Sequence, residues 1–231
     1  MKTPRSKSTD LIEYLISQRN KGESNRIPTI PEISEDLGIS RSTIREQLEV
    51  AKALGFVEAR TKTGIRLNPY RLKPAIIKSL DYGINTDAKL FDEFSNLRKH
   101  LEVAYWDEAV SNLTPQDVTR LQQLIDLATS KLESRPIIVP HEEHKELHMT
   151  IFRRVGNPLV TDLLESYWDL YERSGFNVLQ DLAYLTRVWN YHKSMVGEIL
   201  KGNNYQGKIL LMDHFDLIQE LKRIDRKSYF E

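Results

Sequence analysis

The sequence holds no cysteine among its 231 residues. That excludes disulfides, thiolate metal sites and cysteine nucleophiles together. No apolar run approaches the roughly 18 residues that a membrane-crossing helix needs. No charged-then-apolar leader opens the chain, so the expected location is cytoplasmic, with no membrane partner. Net charge is lacking too, since 33 Lys and Arg balance 33 Asp and Glu. That balance argues against a polyanion-binding protein until the chain is divided. Residues 1–73 carry 14 basic and 9 acidic side chains, whereas the remainder carries 19 and 24. A phosphate-binding surface therefore belongs in the N-terminal third. Strand-like alternation is missing after residue 70, and there are no repeats or low-complexity tracts.

What is present is concentrated in residues 27–67. Pro31 suits the first turn of a short helix, because its missing N–H is unused there. Gly38 suits the left-handed cap that ends it, and Ser40 is a good N-cap for the next helix. In that helix Ile44, Leu48 and Ala51 fall on one face, which is the buried one. Arg41, Ser42 and Arg45 then point outward near the helix N-terminus, whose free N–H groups and partial positive charge suit phosphate oxygens. Arginines at that end can also reach guanine edges in a major groove. After Gly55, two short alternating runs flank Thr61-Lys-Thr-Gly64 and predict a β-hairpin, with Lys62, Thr63 and Gly64 at a tip suited to a duplex backbone. An earlier helix with Leu11, Ile12, Leu15 and Ile16 supports the motif. The whole predicts a winged helix-turn-helix.

Asn68-Pro69 and Pro74 read as a connection, and beyond it the periodicity is helical. Phe91, Phe94, Leu97, Leu101 and Tyr105 form one stripe. Val118, Leu121, Leu124, Ile125 and Ala128 form another after a Thr114-Pro115 start signal. Further helices run roughly over 141–155, 158–174, 182–201 and 205–226, separated by Gly156-Asn157-Pro158 and Gly202-Asn203-Asn204. The expected fold is mostly α, a winged helix-turn-helix followed by an all-α antiparallel bundle. The expected domains are a DNA-binding unit over 1–68, a linker over 69–78 and a helical effector and dimerisation unit over 79–231.

The chain has six histidines, and His141, His144 and His148 share one side of a helix. His144 and His148 are one turn apart, a spacing that lets two imidazoles hold one ion. The same spacing equally describes exposed histidines. His192 and His214 lie in consecutive helices whose antiparallel packing can bring them together. Imidazoles without thiolates select Zn²⁺, with Ni²⁺, Co²⁺, Fe²⁺ and Mn²⁺ as alternatives. Zinc-protease motifs are absent: Lys145 follows His144, and Leu147 precedes His148. Glu143 and Asp213 are the remaining candidates for a general base, which leaves a helical metalloenzyme as the minor reading.

The N-terminal third resembles the GntR family of bacterial transcription regulators. The resemblance is carried by Ile27-Pro28, Ile33-Ser34-Glu35, Leu37-Gly-Ile-Ser-Arg-Ser-Thr-Ile-Arg-Glu46, Leu54-Gly-Phe-Val57 and Gly64. It implies DNA contacts from Arg41, Ser42, Thr43 and Arg45, with Gly64 in the wing; Ser40, at the cap of the same helix, is assigned to the DNA-binding surface with them. One departure is Pro31, which stands where the family usually has a DNA-contacting arginine. The helical region resembles the FCD effector domain of the FadR branch, through Arg98…Glu102, His148…Gly156-Asn157-Pro158-Leu159, His192 and His214. That branch holds a divalent metal with Asp, His, His and His, and the matching positions are His144, His148, His192 and His214. Histidine thus replaces the acid. Four neutral imidazoles leave a +2 site where the carboxylate would leave +1, which favours an anionic ligand or a closed structural shell. The resemblance also places Arg98 in the pocket against an effector carboxylate; at helical spacing Arg98 also reads as a surface residue paired with Glu102. The two resemblances together imply a dimeric regulator, with repression the expected sign, that binds double-stranded operator DNA and senses a small carboxylate through a His-held metal. A metal-free pocket is the alternative, and no catalytic residue is assigned.

Overall fold

The computed structural model describes residues 10–22, 24–60, 64–173 and 182–228, with side chains through residue 217. The chain divides into two compact units, Met1–Tyr82 and Gly83–Glu231, each with its own core. It is mostly helical, with one small antiparallel strand pair among the described residues.

The first unit is built from α1 (Leu11–Lys21), α2 (Ile30–Leu37), α3 (Arg41–Ala53), β1 (Val57–Arg60) and β2 (Gly64–Leu67). Short polar contacts set the helix ends. Asp10 accepts from Ile12 N–H to cap α1, and Thr29 with Glu32 closes a capping box on α2. Helix α2 therefore begins at Ile30, one residue before the expected Pro31, because the capping pair fixes the start and proline is tolerated one position in. Gly38 adopts φ 70° and stops α2, and Ser34 Oγ donates to Ile39 O at 2.6 Å across the turn. Leu11, Leu15, Ile33, Ile44, Leu48 and Ala51 fill the core with Ile27 and the strand residues Val57, Ile65 and Leu67. Ile16, expected in the α1 stripe, is 55% exposed. The buried face runs Leu11, Tyr14, Leu15, and the Tyr14 hydroxyl donates to Asp36 at 3.0 Å. In the strand pair Val57 faces Leu67 and Arg60 faces Gly64. The 25–27 segment bonds the outer side of β2 through Ile27 N–H to Ile65 O and Leu67 N–H to Asn25 O.

Helix α4 (Lys73–Thr86) begins inside the 69–78 segment expected to be a linker. Pro74 is the second residue of that helix, where its missing N–H costs nothing. The division between the two units falls within α4, between Tyr82 and Gly83.

The second unit continues with α5 (Lys89–Ser111), α6 (Pro115–Glu133), α7 (His141–Phe152), α8 (Pro158–Arg173), α9 (Leu182–Leu200) and α10 (Asn204–Ser228). A core of Trp106, Leu121, Leu124, Leu147, Ile151, Phe152, Leu164, Val196 and Leu211 joins all six. The buried stripe of α5 differs from the expected one. It runs Phe91, Phe94, Arg98, Glu102, Trp106 and Ala109, while Leu97 is 43% exposed. Both sets have helical spacing, so periodicity alone does not choose between them; the buried pairing of Arg98 with Glu102 makes the polar stripe tenable inside. Trp106 anchors α10, since its Nε1 donates to Asn204 O at 2.8 Å and its ring fills the space a side chain on Gly207 would need.

Gly55 turns the end of α3 into β1 at φ 78°, and a Cβ there would stand 2.6 Å from the Pro74 ring. Gly55→Ala is therefore expected to cost at least about 1–2 kcal/mol from backbone conformation alone. The loss is measurable as reduced amide protection at Ile44 and Leu48. Unchanged protection would contradict this role for Gly55.

Candidate functional site

Two groups of side chains carry the chemistry. At the start of α3, Ser40 Oγ accepts from Thr43 N–H at 3.1 Å and contacts the Ser42 and Thr43 hydroxyls at 2.7 and 2.9 Å. This places a ring of hydroxyls around the helix N-terminus. Arg41, Ser42 and Arg45 are exposed and Thr43 is half-buried, with Ile44 fully buried between them. The positive end of a helix and two free guanidiniums thus share one outward face. Gly64 opens β2 at φ 75°, while Lys62 and Thr63 lie outside the described residues. Arg26 received no role from the sequence. Its side chain is exposed beside Gly64, 3.5 Å from where a Cβ there would sit, and its backbone bridges Arg66 on β2. The pairing of 25–27 with β2 puts it there, and no local sequence pattern announces that pairing.

The second group lies inside the helical unit. His144 and His148 of α7, His192 of α9 and His214 of α10 bring one ring nitrogen each to within 4.8 Å of one another. His148, His192 and His214 are at most 1% exposed. His141 stays outside this set, half-buried. The donors fit a metal ion. Two imidazoles on one tetrahedral zinc, with bonds of about 2.0–2.1 Å, stand roughly 3.3 Å apart. His148 Nε2 and His192 Nε2 are 3.2 Å apart. His144 Nε2, His192 Nδ1 and both ring nitrogens of His214 are buried without a hydrogen-bond partner. Each such orphan costs about 1–3 kcal/mol in a dry interior, and an ion taking the lone pairs would offset part of that. Burial first, and then neighbouring positive charge from Arg98 among others, holds all four histidines well below the ordinary imidazole pKa. They are neutral at pH 7 with lone pairs free to coordinate.

One more residue completes this centre, and sequence reasoning treated it only as a partner for Arg98. Glu102 is fully buried; Arg98 Nε donates to its Oε1 at 2.6 Å, and its Oε2 lies 2.7 Å from His148 Nδ1. Arg98 is itself 2% exposed, so the surface reading of this pair is incorrect. Its guanidinium carbon lies 4.2 Å from the centre of the Trp168 ring and 4.6 Å from that of Tyr167, a geometry in which a buried cation is attracted to ring faces. Arg98 Nη2 and Trp168 Nε1 are both buried donors without a partner. Burial holds the Glu102 carboxyl above the usual carboxylate range, against the opposing pull of Arg98. Of the two enzyme-reading candidates, Glu143 is bonded to Lys131 at 2.7 Å and Asp213 is exposed.

The histidine burial has a consequence for acid stability. In the unfolded chain these rings take up protons near pH 6.5, while in the folded chain they resist until well below it. Stability is therefore full above pH 6.5 and falls as the pH drops below it, by at most about 1.4 kcal/mol per pH unit per histidine. Asp117 and Glu146, whose pKa values are lowered, act only in more acidic solution. Trp106, Trp168 and Trp189 all lie in the helical unit, so urea unfolding of metal-free protein followed by tryptophan fluorescence reports this unit. A flat profile between pH 7.5 and 5.5 would contradict neutral burial.

Comparison with known proteins agrees with this architecture. The model of the FCD domain matches residues 93–217. The chain is 23% identical to the Uxu operon transcriptional regulator of Escherichia coli over 218 residues, covering 91% of this chain and 83% of that one. It is also 23% identical to the HTH-type transcriptional regulator YcbG of Bacillus subtilis, covering 98% of this chain and 94% of that one. Among solved structures, Streptococcus agalactiae GntR superposes with a TM-score of 0.60 at 18% identity, covering 92% of this chain and 97% of that one, which shows a shared fold. These relatives are regulators rather than enzymes, and among the described residues no helix is long and apolar enough to cross a membrane. The chain belongs to the GntR family of DNA-binding transcriptional regulators, in the FadR-type branch whose helical part is an FCD domain.

Proposed function

We propose that this regulator binds its operator as a symmetric dimer and senses a small carboxylate through a divalent metal held by His144, His148, His192 and His214. The observation that carries this is the convergence of four neutral imidazoles, three of them fully buried and His144 half-buried, with unpartnered nitrogens on His144, His192 and His214. Zn²⁺ is the first candidate, and Ni²⁺, Co²⁺, Fe²⁺ and Mn²⁺ the others. When bound, the ion supplies a Lewis-acidic +2 centre that draws an anion. The chain's own part is to exclude water and to offer donors beside that centre. Arg98 Nη2 and Trp168 Nε1 are such donors, and neither is committed to a protein acceptor. The response is carried through residues 69–78 and the rest of α4, within which the two units divide.

On the operator, Arg41 and Arg45 enter the major groove from the N-terminus of α3, with Ser40, Ser42 and Thr43 on phosphates. Two such helices require half-sites about one duplex turn apart, which is the reason for a dimer. Lys62, Thr63 and Gly64 meet the backbone beside them. Pro31 removes the arginine usual at its position, and Arg26 beside the wing supplies a substitute cation.

Arg45→Ala is expected to weaken operator binding by about 1–3 kcal/mol and to relax the preference at one base position. Arg26→Ala should weaken binding evenly across sequences and lower the salt slope by about one. Unchanged operator affinity in either variant would remove that residue from the interface. For the sensor, Trp168 stands 4.8 Å from His144 and Trp189 stands 5.0 Å from His192, ring centre to ring centre. Titrating Zn²⁺ into metal-free protein should change tryptophan fluorescence and saturate at one equivalent per chain. His192→Ala combined with His214→Ala should abolish the response. A response that survives that double substitution would contradict the assigned ligands.

A further inference from the structure

We propose that Glu102, clamped by Arg98, is the positioning residue that fixes the tautomer of His148 and so presents its Nε2 lone pair to the metal. The inference rests on the metal reading above. A neutral imidazole carries one N–H and one lone pair, and whatever touches one ring nitrogen decides which is which. For His148 that neighbour is Glu102 Oε2, 2.7 Å from Nδ1. The other carboxylate oxygen accepts from Arg98 Nε at 2.6 Å. A carboxylate facing a guanidinium on one side is an acceptor on the other. Nδ1 of His148 therefore holds the proton, and Nε2 holds the lone pair. Nε2 is also the atom that points into the cluster, 3.2 Å from His192 Nε2.

The chain that results runs from Arg98 through Glu102 and His148 to the site. Carboxylate-bound histidines of this kind are stronger ligands, and losing the outer partner typically weakens metal binding 10- to 100-fold. The arrangement matters more here than in a site with an acid ligand. His144 stands where the resemblance implied an aspartate, so no carboxylate belongs to the donor set. Glu102 supplies negative charge one hydrogen bond further out, and it does so through a single ring. His148 becomes the most basic of the four ligands. Arg98 has a double task, since its Nε holds Glu102 while its Nη2 stays uncommitted.

The test uses full-length protein and two readouts. In metal-free protein labelled at histidine nitrogens, long-range proton–nitrogen correlation should show His148 with its proton on Nδ1. A proton on Nε2 would overturn the proposal, and this measurement needs no variant. Glu102→Gln keeps the volume but offers one acceptor and one donor. With the amide oxygen on Arg98, its NH₂ faces His148 Nδ1 and demands a lone pair there, moving the ring proton to Nε2. Zn²⁺ affinity, measured by competition with a chromogenic chelator, should fall 10- to 100-fold in this variant with the stoichiometry unchanged. Equal affinity and an unchanged tautomer would overturn it. If Glu102→Gln does not fold, Glu102→Asp, which keeps the charge, should retain the Nδ1–H tautomer with weaker Zn²⁺ binding. Loss of that tautomer in the aspartate variant would count against the carboxylate as its cause. Wild-type protein that takes up no Zn²⁺ would sink the metal reading, while the tautomer result would still stand on its own.

Discussion

Convergence of four imidazoles, three of them fully buried, without a carboxylate among them is the constraint on which the helical unit depends. Taken into a dry interior, each ring stays neutral, because a proton there would lack water and the carboxylate beside His148 is already paired with Arg98. Among the described residues the acid bonded to the set is Glu102, reached only through His148, and Arg98 offsets its charge. The protein therefore brings almost no net charge to a place where its ring nitrogens converge. A divalent ion held there would keep nearly its full +2, and among the described residues Arg98 and Trp168 have buried donors without a partner. In the proposed reading the imidazole lone pairs would hold the cation, and the lack of an acid ligand would leave it the charge to draw an anion.

The fold serves this by taking the rings from separate helices. α7 provides two of them one turn apart, while α9 and α10 provide one each. Antiparallel packing of α9 against α10 is what brings His192 and His214 together, and Trp106 locks α10 onto α5. Because α5 also carries Arg98 and Glu102, the helix that orients His148 belongs to the same core that closes the site. Any change that separates α5 from α7 would disturb the ligand set before it exposed much surface. The DNA-binding unit obeys the opposite logic. Its apolar residues are buried so that two arginines and a helix terminus can stay in water, uncommitted.

How much of this was legible in the amino-acid sequence depended on how local the cause was. Ser40, Gly38 and the Ile44, Leu48, Ala51 face announce the recognition helix, because caps and periodicity act within a few residues. The pairing of His144 with His148 was legible for the same reason. Joining them to His192 and His214 needed the family resemblance in addition. Helix α4 was missed because Pro69 and Pro74 read as breaks, although a proline in a first turn breaks nothing. Arg98 and Glu102 show the opposite limit. An i, i+4 ion pair has the same spacing on a wet surface and in a core, and only the neighbours Trp168, Tyr167 and His148 distinguish the two. The same holds for Arg26, whose place beside Gly64 comes from strand pairing between distant segments.

The histidines are proposed to form a nitrogen-only metal site. It is tested most directly by X-ray absorption spectroscopy of the metal that the purified protein carries, or of added Zn²⁺. The expected shell is dominated by imidazole nitrogens, with zinc–nitrogen distances of about 2.0–2.1 Å. An oxygen-only, hydrated shell, or a spectrum unaltered in protein that has lost His192 and His214, would contradict it.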